Sequence, residues 1–116
     1  MSNKKELKEQ YKQMKFRMGI FQVRNKTTGK IYVASSINLD AIWNRHRTQL
    51  RFGAHPVKAL QHDWNTYGEE QFSYEILSIL EQKDEDTHDP KRELKELERM
   101  YLEELKPYGN RGYNRE

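Results

Sequence analysis

A chain of 116 residues holds one hydrophobic core and no more, and although hydrophobic and charged residues each make up 34%, the apolar ones fall in periodic clusters that mark a folded domain. The absence of cysteine excludes disulfides and thiolate zinc sites, so any metal must be held by oxygen or imidazole, which points to magnesium or manganese. No apolar run approaches the ~20 residues of a membrane span, and the opening Met1-Ser2-Asn3-Lys4-Lys5-Glu6 lacks the apolar centre of a signal peptide, so a soluble, cytoplasmic protein with no membrane partner is expected.

The net charge is +3, and its distribution says more than its size. No acidic residue lies between Asp40 and Asp63, whereas Arg45, Arg47, Arg51 and Lys58 fall there together with His46 and His55. Such a basic stretch attracts polyanions by counterion release, nucleic acid first among them; a merely solvated basic face explains the charge equally well. Residues 81–104 are acid-rich, so the surface should be electrically two-sided.

Along the chain, Leu7, Tyr11 and Met14 recur at helical spacing after a possible cap at Asn3, which predicts a short basic helix to about Phe16. We take residues 1–17 as this extension and 18–116 as the domain proper. Period-two alternation over 19–25 and again over 30–35, joined by Lys26-Thr27-Thr28-Gly29, predicts a β-hairpin. Tyr32 and Ala34 should share one face of its second strand, Ile31 and Val33 the other. Asn38 then suits the N-cap of a helix with an apolar stripe of Leu39, Ile42, Trp43, His46 and Leu50, ended by Gly53. Pro56 suits the first turn of a further helix with Val57, Leu60 and Trp64 inward and Tyr67-Gly68 at its end. Phe72, Tyr74 and Ile76 alternate with Ser73, Glu75 and Leu77 as a third strand, and the charged, aperiodic stretch 81–87 reads as a loop. Asp89-Pro90 is a cap with proline at the first helical position of a long amphipathic helix carrying Leu94, Leu97, Tyr101, Leu102 and Leu105, which Pro107 ends. The sum is an α+β domain: a small three-stranded, mostly antiparallel sheet flanked by helices.

Taken singly, the polar residues on these elements are unspecific. Glu98 sits on or beside an inward stripe, where a carboxylate needs either an arginine or a divalent cation. His46 interrupts an apolar stripe, a place more often filled by a satisfied core histidine, and His55 is most simply a capping or surface residue.

Taken in order, the residues carry a resemblance. Gly19-Ile20-Phe21, ten residues, Tyr32-Val33-Ala34, then Ser36, Asn38-Leu39 and His46 resemble the motif strands and first helix of the GIY-YIG endonucleases. Gly53-Ala54-His55, Leu60-Gln61, Asp63-Trp64-Asn65, Tyr67-Gly68, Phe72, Glu75-Ile76-Leu77, Glu98 and Gly112-Tyr113-Asn114 extend the likeness to nearly the whole of 18–114. The resemblance implies a metal-dependent hydrolysis of DNA phosphodiesters. It makes Glu98 the ligand of one Mg2+ or Mn2+ ion, sets Tyr32 near the deprotonated water with His46 supporting it, and gives His55 and Asn114 polar roles beside them.

The sequence departs from the family's pattern at three places. Phe21 replaces a tyrosine and loses its hydroxyl, Ala34 replaces a glycine, and Ile42 stands where the family has a catalytic arginine. Losing one preorganised donor costs on the order of 10²- to 10³-fold in rate. Arg45, one turn on and rotated by about 60°, is a candidate to reach back to the same phosphate. Two other readings remain beside the nuclease: a catalytically inactive nucleic-acid-binding module using Arg45, Arg47, Arg51 and Lys58, and a protein-interaction domain using the acidic final helix.

Overall fold

The computed structural model of the protein describes residues 16–81 and 89–116. Most of the expected N-terminal helix and of the expected loop over 81–87 lies outside the described residues. Strands β1 (Met18–Asn25) and β2 (Ile31–Ser36) form the expected hairpin, and β3 (Phe72–Leu80) pairs with β1 on its other side, giving the antiparallel order β2-β1-β3. Asn25 closes the hairpin: its N–H donates to the Lys30 carbonyl at 2.9 Å and its side-chain oxygen accepts from Thr27 N–H at 3.0 Å.

Alternation along β1 sends Phe21 and Val23 to one face and Ile20 to the other, and each face is covered by helix. Helices α1 (Leu39–Arg51) and α2 (Lys58–Tyr67) pack over Phe21, Val23, Tyr32 and Tyr74 through Leu39, Leu50, Leu60 and Trp64. Helix α3 (Pro90–Leu105) packs on the opposite face, setting Leu94, Leu97, Tyr101, Leu102 and Leu105 against Ile20, Val33, Leu77 and Leu80. The β1–β3 register breaks between Ile20 and Phe21, and there Ile76 leaves the expected alternation and is exposed. The same irregularity brings backbones together: a Cβ on Gly19 would lie 1.9 Å from the Ser78 carbonyl oxygen, so the motif's first glycine is a packing requirement.

The helix ends differ in part from expectation. Asn38 occupies the N-cap of α1, yet its side chain makes no capping bond and its Oδ1 is buried without a partner. Ser36 Oγ holds the Asn38 N–H at 3.0 Å, while the Leu39 N–H donates to the Arg17 carbonyl at 2.7 Å and the Arg17 guanidinium pairs with Asp40. Gly53, at φ 71°, ends α1 as expected, with its N–H on the Leu50 carbonyl. Helix α2 begins at Lys58, two residues after Pro56, because Val57 is extended and donates its N–H to the His55 ring. Asp89 caps α3 by accepting from Arg92 N–H, and left-handed Lys106 ends it before Pro107. No helix among the described residues is long and apolar enough to cross a membrane.

The tail then returns to the sheet. Gly112 bridges Ile31 in parallel and Tyr113 N–H donates to the Ile31 carbonyl at 2.9 Å, which covers the outer edge of β2. A Cβ on Gly112 would sit 2.4 Å from the carbonyl oxygens of both Ile31 and Pro107. Inside, Asn25 Nδ2 donates to Tyr113 Oη and that hydroxyl donates to Asp63 at 2.7 Å, tying the tail to the hairpin and to α2; burial pushes the Tyr113 phenol up to about 12.

Candidate active site

The inner stripe of α1 carries His46 to the middle of the sheet face, where its ring lies 5.6 Å from Phe21 and 5.9 Å from Tyr32. The turn after α1 brings His55 to the same point: His46 Nδ1 and His55 Nε2 are 2.8 Å apart, and the His55 ring meets Tyr32 edge-on at 6.1 Å. The surrounding bonds fix the tautomers. His55 Nδ1 accepts the Val57 N–H at 3.1 Å, so in the neutral ring the hydrogen is on Nε2 and is donated to His46 Nδ1. His46 therefore carries its own hydrogen on Nε2.

Both rings are held neutral. Burial, then the neighbouring His55 and then Arg45 lower His46 to about 4, and burial lowers His55 as well. His55 is 1% exposed, which corrects its expectation as a surface or simple capping residue. Its placement depends on Gln61, which the resemblance includes without giving it a role: Oε1 accepts the His55 backbone N–H at 3.1 Å, and Nε2 donates to the Leu50 carbonyl at 2.9 Å and to Asn65 Oδ1 at 3.0 Å. The one available signal was a glutamine beside Leu60 on the inner side of a helix with Trp64.

Glu98 approaches from the other face of the sheet. It accepts the hydroxyl of Ser35 on β2, is half-buried, and forms no ion pair among the described residues, so the inward arginine it was expected either to find or to do without is not there. Glu98 is nevertheless felt at Tyr32: burial first and the Glu98 charge second raise the Tyr32 phenol above its ordinary value. Among the described residues no cluster of three or more His, Asp or Glu side chains forms, so Glu98 stands as a lone carboxylate. A lone carboxylate fits a hard divalent ion of the magnesium type, which keeps several waters and takes further oxygens from a phosphate.

Asn114 lies next to Tyr32 with its carboxamide turned to the backbone of β2. Its Oδ1 accepts the Val33 N–H at 2.9 Å and its Nδ2 donates to the Val33 carbonyl at 2.7 Å, so the carboxamide pairs with β2 as a strand would. It positions the strand that bears Tyr32.

The three departures from the family's pattern are packing residues here. Phe21 is fully buried, the Ala34 methyl joins the same core, and Ile42 is half-buried against it. Of the expected nucleic-acid contacts, Arg51 is held through its Nε and Nη2 on the two Glu69 oxygens at 2.6 and 2.7 Å, and Arg47 donates to Asn44 at 3.3 Å. Arg45 is exposed on α1 beside His46. Lys58 lines a cleft of about 720 Å³ together with Tyr32, Val57, Tyr113, Asn114 and Arg115.

No protein-family model matches the chain. In a 72-residue alignment that covers 56% of this chain, it is 32% identical to intron-associated endonuclease 1 of Enterobacteria phage T4, of which it spans 29%. The solved catalytic domain of homing endonuclease I-TevI superimposes with a TM-score of 0.67 at 31% identity, over 84% of this chain and 96% of that one. A variant of the catalytic domain of intron endonuclease I-TevI gives 0.71 at 28% identity, over 85% and 93%. With almost the whole of a catalytic domain matched in sequence and in a sheet that sets Tyr32, His46, His55 and Glu98 around one strand, the chain belongs to the GIY-YIG endonuclease family.

Proposed function

We propose that the protein is an endonuclease that hydrolyses a phosphodiester of DNA, and that an intracellular DNA is its substrate. The observation that carries this reading is Tyr32, which lines an open cleft, faces a histidine pair on one side and is within electrostatic reach of a lone carboxylate on the other. Both relatives are endonucleases by name, and this chain corresponds to the catalytic domain of one of them.

In the reaction, a water oxygen bonds to phosphorus, one ester P–O bond breaks, and the proton lost by the water is balanced by one gained at the departing oxygen. Tyr32 is a neutral phenol at physiological pH, so its oxygen receives a hydrogen bond from the attacking water and aligns it. His46 is neutral with Nδ1 occupied by His55, and its remaining Nε2–H acts as a donor that orients the phenol or the water, not as the base. Glu98, with the Ser35 hydroxyl beside it, would hold a single magnesium or manganese ion, which supplies Lewis-acid polarisation of the phosphate and charge neutralisation at the departing oxygen. Asn114 holds β2 in place, and Arg45 adds positive potential beside His46.

Tyr32→Phe keeps the ring contacts and deletes the hydroxyl. Nicking of supercoiled plasmid by this variant should fall by roughly 10²-fold or more, a typical share for a group that positions a proton or water. Wild-type nicking by Tyr32→Phe would remove the tyrosine from the mechanism. A wild-type protein that binds DNA and never nicks it would mark Ile42 as the trace of a lost activity.

A further inference from the structure

The cleft beside Tyr32 is charged on one side only. Lys58 and Arg115 are the charged residues that line it, no carboxylate does, and neither has a hydrogen-bonding or ion-pairing partner among the described residues. That sets them apart from Arg17, Arg51 and Arg92, whose guanidinium groups are bound to Asp40, Glu69 and Glu96. The two come from separate elements: Lys58 opens α2, and Arg115 follows Asn114, whose clamp on Val33 anchors that part of the tail beside the strand of Tyr32. The opening turn of α2 contains no acidic side chain to oppose an anion.

We propose that this cleft seats the DNA strand at the scissile bond, and that Arg115 supplies from the tail the cation that α1 lacks at Ile42, while Lys58 holds a neighbouring phosphate. A volume of about 720 Å³ is in the range of pockets that take nucleotide-sized ligands. A guanidinium on the same cleft as Tyr32 can meet two phosphate oxygens at once, as an ammonium cannot, which assigns the transition-state charge to Arg115 and simple attraction to Lys58. The assignment deepens the nuclease reading and rests on it for its kinetic part.

The test uses the full chain and a 30-base-pair duplex, with binding measured in EDTA and cleavage in magnesium. Arg115→Ala should lower the rate at saturating DNA by about 10²-fold while Kd rises only a few-fold, and Arg115→Lys should recover part of that loss. Lys58→Ala should weaken binding several-fold. Removing both should reduce the slope of log Kd against log salt by about 1.8, against no more than a small change for Arg92→Ala on α3. If the wild type cuts and Arg115→Ala cuts equally fast at saturation, the assignment is wrong and the nuclease reading stands. If the wild type cuts nothing, the nuclease reading fails and takes the rate role of Arg115 with it. An unchanged salt slope in the double variant would overturn the cleft as the DNA seat in either case.

Discussion

The histidine pair and Glu98 lie on opposite sides of β2 and are built in opposite ways. Around His46 and His55 three of the four ring nitrogens are matched from within the chain, by Val57 N–H and by each other, and Gln61 holds the His55 backbone N–H. Glu98 has one hydroxyl neighbour and no cation among the described residues. The first region is finished by folding, and on the proposed reading the second would be finished by the ion that Glu98 holds. Mutations should therefore separate: those in the first disturb stability and activity together, and those in the second disturb activity alone.

His55→Ala is the sharpest way to break this comparison. It strands the Val57 N–H and His46 Nδ1 and opens a cavity, so urea denaturation should show a loss of about 2–4 kcal/mol together with a large loss of nicking. A variant of wild-type stability would show that the histidine pair is not a structural unit. Acidification probes the same region. The folded His46 is lowered to about 4, below its unfolded value of about 6.5, so the unfolded chain binds the extra proton. Its contribution is complete above about pH 6.5 and is lost as pH falls towards about 4. Allowing for solvent around a half-buried ring, the loss should be on the order of 2 kcal/mol, and it should shrink in His46→Gln. A flat stability between those pH values in the wild type would contradict it. At the small end, Arg51→Ala removes an exposed, solvent-screened pair with Glu69 and should leave the urea midpoint nearly unchanged. If it instead weakens DNA binding strongly, the pair opens on binding and Arg51 belongs to the interface.

Much of the fold is legible in local chemistry. Asp89-Pro90, Gly53 and the alternation around Lys26-Thr27-Thr28-Gly29 each announce an element end or turn by rules that act within a few residues. The α2 start falls later than Pro56 suggests, because the His55 ring, which captures the Val57 N–H, is invisible in the sequence until the fold buries it. The site was legible as a set of residues in order and not as a set of contacts. The pairing of Asn114 with Val33 spans 81 positions, and nothing local to either residue foretells that the carboxamide faces backbone. Arg115 is illegible for the same reason: in sequence it looks like a solvated tail residue, and only the return of Gly112 to Ile31 brings it to the cleft.

The measurement that tests the central claim most directly pairs plasmid nicking in magnesium or manganese with thermal unfolding, for the wild type and for Glu98→Ala purified in the same way. The account predicts metal-dependent nicking by the wild type, its loss by at least roughly 10³-fold in Glu98→Ala, and melting temperatures that agree within about 2 °C. Equal nicking by the two proteins, or a Glu98→Ala variant that loses activity only because it unfolds, would contradict it.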